Sequence, residues 1–459
     1  MSTLWSGRFD AAPDAAAFEF GASFRFDRRL FEDDVVGSIA WARAIAKAGV
    51  LAPDEATRID AALSSLLERG RAEPAFVDGP DEDVHSFVER QLVEQLGDAG
   101  RRLHTGRSRN EQVSLDLRLY LRRRIPTLQR AVGAVMSALA DQATKATDAL
   151  MPAFTHFRPA QPVLVAHFLL SHAAPLKRDV ERLAAARQEA DALPLGSGAI
   201  AGTAYSVDVE TLARDLGFSR VVDNSMDASS DRDFAATFLF ACSLTMVHLS
   251  RLAEDLIILC GDEHRFFELS DALSTGSSMM PQKKNPDPLE LVRGKTGRAI
   301  GHLVGLLATI KGLPTGYNKD LQEDKEAVFG AEDTLAGCLA VVRSVVNGLT
   351  LNRERAARAA SGLLLATDVA DYLVGRGVPF RRAHEIVGAL VRKLVADGRD
   401  FESLSIEEWR AASDKFDADV RSRVTSAVSV AAKRTPQSTA PQAVAERLAG
   451  LRQWLEQLC

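Results

Sequence analysis

The stretch STGSSMMPQKKNPDPLE, Ser274 to Glu290, gathers hydroxyls, amides and cations into one short segment. Pro281, Pro286 and Pro288 forbid a continuous helix. Gly276 supplies backbone freedom, and Ser277 and Ser278 bring hydroxyls and amides that can meet an anion. Lys283 and Lys284 add positive charge, and Glu290 opens the helical sequence that follows. A loop of this composition suits closure over an acidic small molecule.

Three other segments carry similar potential. HTGRSRNEQ, His104 to Gln112, sets Arg107 and Arg109 around Ser108, with Asn110, ahead of a long helical pattern. A helix N-terminus so furnished can hold a carboxylate or phosphate. FTHFRPAQP, Phe154 to Pro162, places Thr155 and His156 in a proline-bounded loop, where histidine can act as acid or base near neutral pH. GYNKDLQEDKE, Gly316 to Glu326, lets Tyr317, Gln322 and Lys325 reach one polar ligand if a turn leads into a helix. Taken singly, each also reads as an ordinary helix junction, structural loop or solvated turn.

Other features carry less. GSGAIA, Gly196 to Ala201, fits a dinucleotide-binding spacing, but no strand pattern precedes it, so a tight loop is expected. His167 and His172 miss the i,i+4 spacing of a helical zinc pair, His248 sits in apolar sequence as a core residue, and no cluster has metal-ligand spacing.

The elements that position these segments read as helices. Leu117, Leu121, Ile125, Leu128, Val132, Val135 and Leu139 recur at helical steps, with Pro126 predicting a kink or junction. Leu289, Val292, Thr296, Ile300, Leu303, Leu307 and Ile310 repeat the pattern, as do Leu335, Leu339, Val342, Val346 and Leu349. The segment Phe234 to Leu259 is apolar nearly all round and therefore needs neighbours on every side, other subunits included. Its uncharged run is too short and too hydroxyl-rich for a spanning helix. Strand-like alternation is scarce; Val221-Val222 is the candidate for a short hairpin. The expected class is all-α in three regions: a helical domain at 1–109, a long-helix domain at 110–362 containing the loop 274–290, and a small helical domain at 363–459.

The 459 residues are ample for a large core. A formal net charge of −6 argues against a general nucleic-acid surface. Cys242, Cys260, Cys338 and Cys459 form no CxxC pair and read as reduced thiols of a cytoplasmic protein. The first ten residues, MSTLWSGRFD, lack an apolar signal core.

Gly276-Ser277-Ser278-Met279-Met280-Pro281-Gln282-Lys283-Lys284-Asn285 resembles the G-S-S-x-M-P-x-K-x-N signature of the aspartase/fumarase superfamily. TGRSRN, THFRPAQP, YNKDLQEDKE, PLGSGAIAGTAYSVD, NSMDASSDRDF and LLATDVADYLVGRGVPFRRAHEIVG extend the similarity over nearly the whole chain, towards the argininosuccinate lyase branch. The resemblance implies reversible β-elimination of argininosuccinate to arginine and fumarate, with no cofactor and no metal. It implies a homotetramer with a twenty-helix core and active sites shared between subunits, and neither nucleic acid nor membrane as partner. By resemblance Ser277 and His156 are the acid/base pair, with serine favoured as base and the reverse open. Lys283 and Asn285 stabilise the intermediate, and Glu290 orients His156. Substrate contacts fall to Ser23, Arg109, Asn110, Thr155, Tyr317, Gln322 and Lys325, and Asp83 and His85 match a further polar motif. Glu111, Phe154, Phe157, Arg158, Val209 and Met279 depart from the usual pattern. Neighbouring readings are an amine lyase acting on adenylosuccinate or aspartate, and a non-catalytic homologue of the crystallin kind.

Overall fold

The computed structural model describes residues 14–458. The N-terminal stretch considered for a signal core and Cys459 lie outside them. Two compact units interleave along the chain. The first joins the residues up to Leu128 with Glu181–Leu244 and Gly297–Leu335; the second joins Gln129–Val180, Thr245–Thr296 and the chain from Ala336 onward.

The first unit begins with helices Phe31–Lys47, Pro53–Ala72 and Val84–Leu96. Pro53 starts its helix where the missing N–H costs nothing, and Glu55 closes back on the amide of Ala52 at 3.1 Å. Asp83 caps the third helix through the amide of Ser86 at 2.7 Å. Val35, Trp41, Ile45, Ile59, Leu63 and Phe87 fill the core between them.

Five long helices follow: Arg109–Lys145, Val165–Glu189, Asp233–Cys260, Asp287–Ile310 and Asp324–Asn347. The apolar face predicted for the first, Leu117 to Leu139, is buried throughout. The expected junction at Pro126 is absent, because the helix runs unbroken through it. Seven buried aliphatic side chains contribute on the order of 10 kcal/mol. A mid-helix proline costs about 3 kcal/mol, so burial wins.

The face predicted from Leu335 to Leu349 is likewise buried. That of Asp287–Ile310 holds through Leu289, Val292 and Thr296 and then slips: Ala299 and Leu306 are buried, while Ile300 and Leu307 are exposed. The seam steps by three after Thr296, to Ala299, whose small side chain stands out less in an apolar pattern than its neighbour Ile300.

Asp233–Cys260 is long and apolar enough to cross a membrane by composition alone, yet Phe234, Phe238, Cys242, Met246, Leu249, Leu252 and Leu256 are buried in the protein. Phe240 is 49% exposed, so one side of this helix lacks cover within a single chain. His248 is half-buried, with Nδ1 2.6 Å from Asp179 Oδ2, which makes it a paired residue rather than an apolar core filler.

Two strand expectations change. Val221 makes only an isolated parallel bridge with Leu193, not a hairpin. The hairpin lies instead at Leu150–Thr155 and Arg158–Leu164, antiparallel, with Thr155 opposite Arg158. His156 and Phe157 form its turn with φ of 53° and 57°, the left-handed pair of a two-residue hairpin turn. Bulky residues rarely tolerate that conformation, so the tip stores strain.

The chain after Leu365 packs helices Ala366–Gly375 and Phe380–Ala396 around Val369, Leu373, Leu390, Leu394, Trp409 and Phe416. The break predicted at Gly377-Val378-Pro379 is present, with Gly377 at φ 85°. Cys242 and Cys338 are buried thiols outside any disulfide, and Cys260 is half-buried.

Candidate active site

Six of the expected site residues lie in the first unit, and three of them, Ser23, Arg109 and Lys325, are held by buried acids. Ser23 Oγ donates to Asp27 Oδ2 at 2.5 Å, and Asp27 Oδ1 accepts the amide of Val84 at 3.0 Å. Burial raises the Asp27 carboxyl, although His85, the Ser23 hydroxyl and Lys325 act against it. Arg109, at the first position of its helix, donates to Asp83 Oδ2 at 2.7 Å and to Ser86 Oγ at 3.1 Å. Burial would raise Asp83, but His85 and Arg109 hold it below the usual carboxylate range.

Asn110 Nδ2 donates to the carbonyl of Ala199 at 3.2 Å. The segment from Gly316 is a turn leading through a short 3₁₀ stretch into the helix at Asp324, as the sequence required. Gln322 Nε2 donates to the carbonyl of Gly21 at 3.2 Å, two residues before Ser23. Buried Lys325 donates to Asp324 Oδ1 at 2.9 Å, and Arg232 Nε donates to the other oxygen of the same carboxylate. The Tyr317 hydroxyl is pushed up to about 12 by burial, against the pull of Arg232, with Asp324 and Asp83 raising it further. Tyr317 therefore stands as a neutral donor, near the acids that hold Lys325 and Arg109.

The other six lie in the second unit. Thr155 ends the first strand of the hairpin and His156 begins its turn; both are exposed. The loop Ser274 to Glu290 is a second small hairpin, with Thr275 opposite Asn285 and Gly276 opposite Lys284. Asn285 Nδ2 donates to Thr275 Oγ1 at 3.4 Å, and that hydroxyl donates to Asp287 Oδ2 at 2.5 Å. Ser277 Oγ, half-buried, accepts the amides of Met279 and Met280 at 3.3 and 3.1 Å. Two N–H groups aimed at one hydroxyl oxygen favour its anionic form.

Lys283 is exposed beyond the paired strands. Lys284, whose role the sequence left open, reaches the carbonyl of Leu269 at 2.5 Å and the carboxylates of Glu268 and Asp271 at 3.3 and 2.8 Å. It anchors the base of the loop. The following helix starts at Asp287, so Glu290 sits in its first turn, 3.9 Å from Arg293. Among the described residues no hydrogen bond joins His156, Ser277 and Glu290 to one another within the chain. We expect Lys284→Met to lower kcat by about 10-fold, through loss of charged hydrogen bonds, and to speed proteolytic cutting between Met279 and Lys283.

A family model described as Lyase matches residues 7–301, and one described as Argininosuccinate lyase C-terminal matches residues 363–431. The argininosuccinate lyase of Moorella thermoacetica is 47% identical over 453 residues, covering 98% of each chain. That of Roseiflexus sp. (strain RS-1) is 48% identical over 460 residues, covering 99% of this chain and 100% of its own. The chain belongs to the argininosuccinate lyase family. Solved structures agree on the fold at lower identity. An EDDS lyase variant with bound fumarate superposes with a TM-score of 0.83 at 24% identity, over 98% of this chain and 91% of its own. A class II fumarase from Schistosoma mansoni gives 0.75 at 15%, over 90% and 94%.

Against that family background, the residues missed from sequence are the acids that hold the candidates in place. Asp27 stands four residues after Ser23, a helical spacing that signals a local hydrogen bond. Arg232 and Asp324 are 92 positions apart and gave no local signal. A further buried cluster joins Asp34, His85 and Asp116, whose ligand-type atoms lie within 4.8 Å of one another. Its carboxylates already face the guanidinium of buried Arg107, which donates to Ser38 Oγ at 3.1 Å. Burial, with the Asp34 carboxylate beside it, holds the Asp116 carboxyl well above its usual range.

Proposed function

We propose that the chain cleaves argininosuccinate to arginine and fumarate, the observation carrying this reading being its near-half identity to argininosuccinate lyases over the full length of both chains. Ser277 takes the proton from the carbon beside a carboxylate. Lys283, Asn285 and the loop amides stabilise the resulting aci-carboxylate. The carbon–nitrogen bond then breaks, its electron pair leaves on the guanidino nitrogen, and His156 supplies the proton that nitrogen needs. The two amides on Ser277 Oγ support serine as the base. Thr155, Ser23, Arg109, Asn110, Tyr317, Gln322 and Lys325 bind substrate.

The protein is read as a cytoplasmic homotetramer of three-domain subunits (1–109, 110–362 and 363–459), with sites shared between subunits. Two features support sharing. His156 sits at a strained, exposed hairpin tip whose neighbour Phe157 is 86% exposed, and it finds neither Ser277 nor Glu290 within its own chain. The long helices leave Phe240, Leu291, Val304 and Leu307 uncovered, as helices that pack against other copies would.

Purified protein should release fumarate from argininosuccinate, followed by ultraviolet absorbance, and should have the solution mass of four chains. Release from adenylosuccinate or aspartate instead, or a fully active monomer, would overturn the reading.

A further inference from the structure

We infer that Glu111 and the loop Gly196–Gly202 form one positioning device for the substrate-binding segments of the first unit, an inference that rests on the function proposed above. The GSGAIA motif binds no nucleotide in this account; its amides are taken up by a side chain of the protein itself. Glu111 is fully buried in the first turn of the helix Arg109–Lys145. Its Oε1 accepts the amide of Ser108 at 3.0 Å, and its Oε2 accepts the amide of Gly198 at 2.9 Å. One carboxylate thus ties the loop to the helix start that carries Arg109 and Asn110.

The loop is closed on itself, and Glu111 is the carboxylate that holds its amide side. Gly202 N–H donates to the carbonyl of Ser197 at 2.7 Å and Thr203 N–H to that of Gly196 at 3.2 Å, closing it on itself. Gly198 has φ 57°, and a Cβ there would stand 2.7 Å from the carbonyl oxygen of Gly202, so only glycine fits. The tip of this closed loop touches both binding segments. Ala199 receives the side-chain amide of Asn110. Ile200 lies against Gly316, where a Cβ would meet its Cδ1 at 2.8 Å, and Gly316 directly precedes Tyr317. Ser225 Oγ fixes the carbonyl of Ile200 at 2.8 Å. A shift of the loop therefore moves Asn110 and Tyr317 together.

The chemistry of the tether requires a carboxylate. A carboxylate accepts from two amides at once, whereas a carboxamide accepts at one end and presents a donor at the other. The charged group facing Glu111 is Arg107, on the turn before the helix, and the loop on its other side contributes only the amides of Gly196 and Gly198. Burial pushes the carboxyl up to about 7 despite those amides. Its folded value lies above the unfolded 4.5, so folding stability falls as pH rises from 4.5 to 7. Stability alone would thus favour an amide at this position, whereas the tether is strongest above pH 7. Protonation as pH falls through 7 turns one acceptor into a donor facing the Gly198 or Ser108 amide.

The test is Glu111→Gln in the full-length protein, assayed for fumarate release between pH 6 and 9. We expect KM at pH 8 to rise about 10-fold, the loss of a charge-assisted hydrogen bond, with kcat changed less than about 3-fold. The wild-type rise in KM below pH 7 should vanish in the variant, and Glu111→Asp should recover most of the affinity. The thermal midpoint of Glu111→Gln at pH 8 should equal or exceed that of wild type, which a merely structural role would not give. Amide exchange at Gly198, measured without substrate, should quicken in Glu111→Gln and in wild type below pH 7. Unchanged KM or unchanged Gly198 exchange would overturn the inference. If wild type releases no fumarate, the functional reading fails by itself and the exchange measurement alone decides the tether.

Discussion

Replacing Ser277 by alanine is expected to lower kcat by roughly 10²–10⁴-fold, about 3–5 kcal/mol of transition-state stabilisation. KM should stay near the wild-type value, because substrate binding is assigned to other side chains. The loop should survive the change. Its frame is the strand pairing of Thr275 with Asn285 and Gly276 with Lys284, and its base is pinned by Lys284 to Glu268, Leu269 and Asp271. Alanine removes only the oxygen that accepts the Met279 and Met280 amides, and both neighbours are exposed to water that can replace it. Fumarate release and circular dichroism on the same preparation check the result. A turnover within about 3-fold of wild type, in a folded protein, would remove Ser277 from the base role.

That loop was legible because its chemistry and its punctuation coincide. Prolines and a glycine exclude a helix over the same residues that carry the hydroxyls and cations, so the loop and its candidate chemistry could be read from one string. The His156 segment was legible only in part. Its proline boundaries were plain, but the strands were not, since Pro152, Pro159 and Pro162 argue against a sheet and His-Phe is not a pair that normally makes a tight hairpin turn. The strain that makes the tip unusual exists only in three dimensions.

At Pro126 local propensity predicted a kink or a junction; the helix continues through it, and the burial of Leu121, Ile125 and Leu128 on either side outweighs a break. The candidate binding residues were named by resemblance, Ser23 by that alone, but the pairings that aim them were not visible. Asp83 meets Arg109 across 26 positions and Gln322 meets the carbonyl of Gly21 across 301. Periodicity describes one element at a time and is silent about such pairings. GSGAIA shows the converse: its glycine spacing was read as a tight loop, yet the side chain that occupies its amides comes from 87 positions away.

Asp324→Asn should be the most destabilising single substitution in this group, by about 3–5 kcal/mol. Asp324 is fully buried and carries two cations, Arg232 on one oxygen and Lys325 on the other, and both partners are buried as well. Asparagine keeps the shape but leaves two positive charges facing one neutral amide in a site closed to water. Arg232→Met should cost less, because it leaves the Asp324–Lys325 pair intact and replaces a buried charge with an apolar chain of similar length. The ordering of the two variants separates charge imbalance from lost packing. Burial would raise the Asp324 carboxyl, but Lys325 and Arg232 outweigh it and hold it below its ordinary 3.8. A depressed folded value means stability that is present above pH 3.8 and is lost as pH falls through the folded value. The gap between wild type and Asp324→Asn in urea midpoint should therefore be full at pH 7 and narrow only in strong acid. Activity should fall further than stability explains, because the change removes the carboxylate that holds Lys325, a residue assigned to substrate binding. An Arg232→Met variant more unstable than Asp324→Asn would show that packing around the guanidinium, not the charge on Asp324, holds this part of the unit together.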